Sequence, residues 1–167
     1  NIFAAASAPD TPGGSDTILN FNHRGACAIT NNLNAGFLLN HLILGDGCGG
    51  MLLSGNSVTF TRSRAAGLKP VIHAKKCQRV DINVPISLQD DLHVNTFPGR
   101  DPNCFISFNE AISGPHALTL NSAGDPDVAG INFHDVHFGI LQFNTSNTYS
   151  GGTCIHGGKI NVRQSNG

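Results

Sequence analysis

The chain has no tryptophan, one methionine, one tyrosine and few charges. Charged residues are 13% of the total, about half the share usual in soluble domains. The net charge of −1 leaves no basic surface to hold nucleic acid or an anionic membrane. No apolar run approaches the roughly 20 residues of a spanning helix. No CxxC pair occurs among the five cysteines, which argues against a zinc ribbon, a thioredoxin-type redox pair and haem attachment. GxSxG and P-loop motifs are also missing, so the common serine-nucleophile and Walker-type phosphate signatures are absent.

What remains is distinctive. Glycine is frequent, at 20 of 167 residues, and asparagine is abundant. Weak charge with much Gly and Asn suits exported repetitive β-proteins better than cytosolic enzymes. The expected location is therefore the cell surface or the secreted compartment. No intact signal peptide is legible; AAASA at positions 4 to 8 has the small side chains of a processing remnant. The chain opens at Asn1 and closes mid-pattern at INVRQSNG, so it reads as a piece of a longer protein.

Period two dominates. Val80 to Val84 alternates apolar and polar, as do Val58 to Phe60, Leu118 to Leu120 and Ile160 to Val162. Half-buried strands demand this pattern. No window holds a helical period over three turns. A short unit, apolar-x-apolar-Asn, recurs as LNFN at Leu19, ISFN at Ile106, LTLN at Leu118 and LQFN at Leu141. VTFT at Val58 and INFH at Ile131 fit the same frame. Two inward side chains followed by a residue that tolerates left-handed geometry make a strand ending in a corner. Strand and corner repeated without helices point to a solenoid. The expectation is an all-β right-handed parallel β-helix of about six or seven coils, with asparagine amides stacking at its corners. Residues 17–167 form its single domain, after a loose N-terminal segment over residues 1–16. A β-sandwich is the alternative, although Asp46-Gly47 is the only NG or DG pair that lies between strand candidates.

The stretch NTYSGGTCIHGGKINV, Asn147 to Val162, resembles the passenger-associated transport repeat of bacterial autotransporters. An N-T-Y-[ST]-G-G-T run is followed by a strand, a Gly-Gly turn and a second strand. Upstream, FNEAISGPHALTLNSAG from Phe108 and LSGNSVTFT from Leu53 resemble rungs of the same surface proteins. The resemblance implies a right-handed β-helix, export, and a role in adhesion, coating or secretion. It implies no catalytic residues. Host or matrix glycans and proteins would be its ligands, and end-to-end stacking its mode of self-association, because a solenoid's terminal strands have unpaired edges.

Cys154 and His156 depart from that repeat, which usually carries Thr, Asn or Ser there. Ile155 faces the core with Thr153, so Cys154 and His156 share the outward face. A Cys-x-His pair supplies two ligands to a soft transition metal such as Zn or Cu. His134-Asp135-Val136-His137 is the tightest histidine cluster, and a corner at His134–Asp135 would bring His134 and His137 together as metal ligands. The bland reading of each is a solvated polar face.

Cys27 shares parity with Ile29, and Cys104 with Ile106 and Phe108, so both read inward; Cys77 reads outward, and Cys48 sits in the GDGCGG turn. Adjacent rungs lie about 4.8 Å apart, within disulfide range. Spacing allows Cys27–Cys48 and Cys77–Cys104, parity opposes the second, and buried thiols are the alternative for Cys27 and Cys104.

Asp90-Asp91 and Asp125-Pro126-Asp127 are the paired carboxylates, and Lys75, Lys76 and Arg79 the basic cluster. Grouped acids on a β-helix face would suit a polysaccharide-active enzyme; turn capping is the competing reading. Asn144-Thr145-Ser146 is a glycosylation sequon that has meaning only in a eukaryotic secretory pathway. Three functions follow in order: a non-enzymatic surface scaffold, a metal-binding surface protein, and a glycan-active enzyme.

Overall fold

The computed structural model describes residues 13–21, 25–33, 36–44, 50–75, 79–97, 105–121 and 139–163. These contain sixteen strands and no helix. Three parallel sheets build the described coils, the third shorter than the other two. The first contains β1 (Ile18–Phe21), β4 (His41–Leu44), β7 (Val71–Lys75), β10 (Leu92–Phe97), β13 (Leu118–Asn121) and β15 (Thr153–Ile155) in that order. The second contains β2 (Ala26–Asn31), β5 (Gly50–Gly55), β8 (Arg79–Asn83), β11 (Phe105–Phe108), β14 (Ile140–Phe143) and β16 (Lys159–Val162). The third contains β3 (Phe37–Leu39), β6 (Val58–Phe60), β9 (Ile86–Leu88) and β12 (Ile112–Ser113). The chain visits the first two sheets six times each, which is the coiling expected of a β-solenoid. A sandwich of antiparallel hairpins is ruled out, because every strand pairing among the described residues is parallel.

The alternation read from sequence becomes in-register ladders. Leu19, Leu42, Ile72, Val94, Leu120 and Ile155 follow one another on the inner side of the first sheet. Ile29, Leu53, Ile82, Phe108, Phe143 and Val162 do the same in the second. Parallel register puts like side chains one rung apart, so aliphatic packs on aliphatic, and the Phe108 and Phe143 rings stack at 5.6 Å. The core is the sum of these ladders, with Ile72, Val94, Ile106, Leu118 and Leu120 fully buried.

Corners are held by amides. Asn31 and Asn40 are buried; Asn31 Nδ2 donates to the carbonyls of Asn56 and Ser57, and Asn40 Nδ2 to those of Thr61 and Leu68. These bonds tie each corner to the backbone oxygens of the next coil, and at Ser57 and Leu68 they add to a backbone amide bond already present. The expected amide stack is present after the second sheet. Asn109 Nδ2 donates to Asn83 Oδ1 at 2.6 Å, and Asn144 Nδ2 to Asn109 Oδ1 at 2.5 Å.

Residues 1–12 lie outside the described residues. Gly13 bridges to Leu38, and Asp16 Oδ1 accepts bonds from Ser63 Oγ and the Ala65 amide, so the chain is anchored from Gly13 onward.

The two ends of the described stack differ. At the N-terminal end Ile29 and Leu39 are fully buried and Phe21 and Phe37 nearly so. At the C-terminal end the ladders finish uncovered, with Ile155 52% and Val162 70% exposed.

Candidate functional site

The last rung shows why its motif has that composition. Asn147 Oδ1 accepts the Ile112 amide at 2.9 Å, and the Thr148 amide donates to the Ile112 carbonyl. This replaces strand pairing with a side-chain bond on the third side of the coil. Gly151 then passes so close to the preceding coil that a Cβ there would lie 2.3 Å from the Ala117 nitrogen. Gly152 has φ +83°, a conformation that favours glycine. The pair turns the chain into β15, whose register Leu118–Thr153, Thr119–Cys154 and Leu120–Ile155 follows directly. The Tyr149 hydroxyl bonds to Thr153 Oγ1, and its ring packs against the core.

That register sends Thr153 and Ile155 inward and Cys154 and His156 outward, as their parity required. Both outward residues are exposed. Cys154 Sγ lies 3.4 Å from His156 Nε2, within sulfur hydrogen-bonding range. The His156 backbone amide donates to the Leu120 carbonyl at 2.9 Å, which extends the register one residue past β15. No group of three His, Cys, Asp or Glu side chains arranged to hold a metal occurs among the described residues. The pair thus offers a cation two donors. His134 and His137, the other candidate ligands, lie outside the described residues, as do Cys48, Cys77 and Cys104. Each candidate disulfide therefore has at least one cysteine outside them. Cys27 is half-buried against the core and is in register with Met51.

Sequence reasoning overlooked three histidines on the same outer face. His41, Val71, His93, Thr119 and Cys154 form one outward column; Ile43, His73, Asn95 and Asn121 form the next. The His41 and His73 rings stack at 6.2 Å and 7°. Asn121 Nδ2 lies 3.0 Å from Asn95 Oδ1 and 3.4 Å from His93 Nδ1. His41 Nδ1 and His93 Nε2 are shielded from solvent without a hydrogen-bond partner. Burial holds both imidazoles below the ordinary histidine pKa, and at His93 the Lys69 charge pushes the same way. The missed signal was parity: His73 and His93 are each flanked by inward aliphatics, and His41 by the buried Asn40 and Leu42, so all three face outward.

The acid pair at the corner before β10 is engaged. Arg62 grips Asp90 with two bonds, Nε to Oδ2 at 2.7 Å and Nη2 to Oδ1 at 3.1 Å, and this contact holds the Asp90 carboxyl below its usual range. Asp91 Oδ1 accepts the Ala117 amide at 3.0 Å, with His116 and Lys69 within 4 Å of its carboxylate. Arg79 pairs with Asp81 on its own strand in the second sheet, away from that corner. Lys76, Asp125 and Asp127 lie outside the described residues. The sequon residue Asn144 has its amide committed to Asn109 and its Oδ1 to Gln142.

No described helix is long and apolar enough to cross a membrane. Comparison with protein-family models, with curated proteins and with solved structures finds no match to this chain.

Proposed function

We propose that the chain is a non-enzymatic β-solenoid scaffold of the cell surface or secreted compartment, autotransporter-like in kind, which acts by adhesion or self-assembly. The observation that carries this reading is the uninterrupted parallel stack: six strands in each of the first two sheets pair rung on rung, and in-register aliphatic and aromatic ladders fill the core between them. Such a frame repeats its outward side chains at fixed spacing, which is the form of a scaffold that binds through its faces. The engaged Asp90, held ionised by Arg62, counts against the glycan-active reading, since a general acid must hold a proton to give.

Sedimentation velocity over a wide concentration range tests the assembly half, and binding to glycan arrays and matrix proteins tests the adhesive half. The reading expects concentration-dependent association or a saturable ligand. A monomer at every concentration that binds neither class would overturn it.

A metal-binding surface protein is the second reading, favoured by the 3.4 Å separation of Cys154 Sγ and His156 Nε2. That distance is close to the separation of two donors on one tetrahedral zinc, given bonds of about 2.3 Å to sulfur and 2.0 Å to nitrogen. Native mass spectrometry after zinc or copper addition tests it; the absence of a mass adduct would dismiss it.

A further inference from the structure

We propose that the groove beside the Gly13–Thr17 segment, at the corner between the third and first sheets, binds an acidic sugar, a hydroxylated ring that carries one oxyanion. The site supplies a ligand class to the adhesive half of the scaffold reading, on which it rests.

The groove has a volume of about 580 Å³, within the range of pockets that hold small ligands. Backbone bonds fix its floor. The Gly14 amide donates to the Leu38 carbonyl, the Thr61 amide to the Leu39 carbonyl and the Gln89 amide to the Phe60 carbonyl. Phe60 and Leu88 are in register, so the residues that follow them, Thr61 and Gln89, stand one rung apart. Apart from Leu38 and two glycines the lining is polar, which suits hydroxyl groups better than an apolar ligand.

Other side chains at these corners are committed to the fold. Asn40 donates to the Thr61 and Leu68 carbonyls, Arg62 holds Asp90, and Asp91 accepts the Ala117 amide. In the groove, the side chains of Thr17, Thr61, Arg64 and Gln89 make no hydrogen bond or ion pair with another described residue. They stay available to a ligand on a fixed frame. A guanidinium such as that of Arg64 grips a planar carboxylate with two parallel bonds and also pairs with a sulfate ester. The hydroxyls of Thr17 and Thr61 and the Gln89 amide both give and accept bonds with ring hydroxyls.

Asp16 limits the charge the groove takes. Its Oδ1 accepts from Ser63 Oγ and the Ala65 amide, and the residue lines the same groove. A fixed carboxylate repels a second anion and accepts from a hydroxyl instead. One guanidinium opposite one carboxylate, with neutral polar groups between, therefore matches a single oxyanion on a hydroxylated ring rather than a polyphosphate.

The test titrates the isotope-labelled 167-residue chain with glucuronate, glucose sulfate and glucose, followed by amide chemical shifts. An acidic sugar is expected to give saturable shifts at Gly14, Thr61 and Gln89, and the tighter of the two identifies the anion as carboxylate or sulfate. Glucose should bind at least about tenfold more weakly, and Arg64→Gln should weaken the acidic sugar by about tenfold, the scale of a lost charged hydrogen bond. Arg64→Lys keeps the charge without the planar fork and should recover part of that loss. Arg64 is exposed, so both variants keep the core, and circular dichroism checks the fold. No saturable shift with either acidic sugar, equal binding of glucose, or unchanged affinity in Arg64→Gln would overturn the site. Glycan-array binding that survives Arg64→Gln would retain the adhesive reading and remove this groove from it.

Discussion

Leu120 and Ile155 are in-register neighbours on adjacent rungs, yet Leu120 is fully buried and Ile155 is 52% exposed. The same inward position is core on one rung and surface on the next. Replacing Ile155 or Val162 with Asp in the 167-residue chain should therefore leave thermal stability nearly unchanged. A melting curve checks this; a large loss of Tm in either variant would mean that the rung is already part of a packed interior.

The core ladders predict the opposite behaviour for an inner rung. Phe108 is packed between Ile82 and Phe143 and is almost completely buried. Phe108→Ala should cost about 3–5 kcal/mol, the usual penalty for emptying an aromatic site. Denaturant unfolding measures it, and a cost below about 1 kcal/mol would contradict the packing.

The amide stack at Asn83, Asn109 and Asn144 has a middle member that both donates and accepts. Asn109→Ala removes two bonds and should destabilise by about 1–2 kcal/mol. Asn83→Ala removes one bond and should cost less. A larger effect at Asn83 than at Asn109 in the same unfolding assay would show that the stack does not act as drawn.

The glycines of the last rung have separate reasons. At Gly151 a Cβ would collide with the Ala117 nitrogen and the His116 carbonyl carbon; at Gly152 the backbone has φ +83° with open space around it. Gly151→Ala should disturb the stacking of β15 on β13, seen as faster hydrogen exchange at the Leu118 amide, which bonds to the Gly152 carbonyl. Gly152→Asn should be mild, since asparagine tolerates left-handed geometry. Similar exchange rates in the two variants would remove the distinction.

Acid should weaken the fold in two stages. Burial lowers the pKa of His41 and His93 below 6.5, so the unfolded chain takes up these protons first. The stability they contribute is complete above about pH 6.5 and falls as pH drops from there through their folded values. Asp90 and Asp16 are lowered from 3.8, chiefly by the bonds from Arg62 and Ser63. Their contribution is present above about pH 3.8 and is lost as pH falls through their still lower folded values. Melting temperature against pH should show the first decline beginning near 6.5. That decline should shrink in His93→Gln; an unchanged profile in that variant would contradict the burial argument.

Several features were legible without coordinates because they are local. Period-two alternation at Val80 to Val84 and Leu118 to Leu120 marks strands, and its parity sends Cys154 and His156 to one face. The recurring terminal asparagine marks corners, and repetition of strand and corner without a helical period favours a parallel stack while leaving a sandwich open. A strand's pleat and a turn's backbone are set by neighbours in sequence, so sequence alone determined them. The tertiary structure decided what depends on coil-to-coil register. Coils differ in length, from 19 residues between Ile140 and Lys159 to 35 between Thr119 and Cys154, so no fixed spacing reveals which residues meet. Register brought His41 beside His73, set Arg62 on Asp90 across 28 residues, and left Ile155 inward-facing but uncovered. Sequence names the face a side chain is on; only the packed stack names its neighbour.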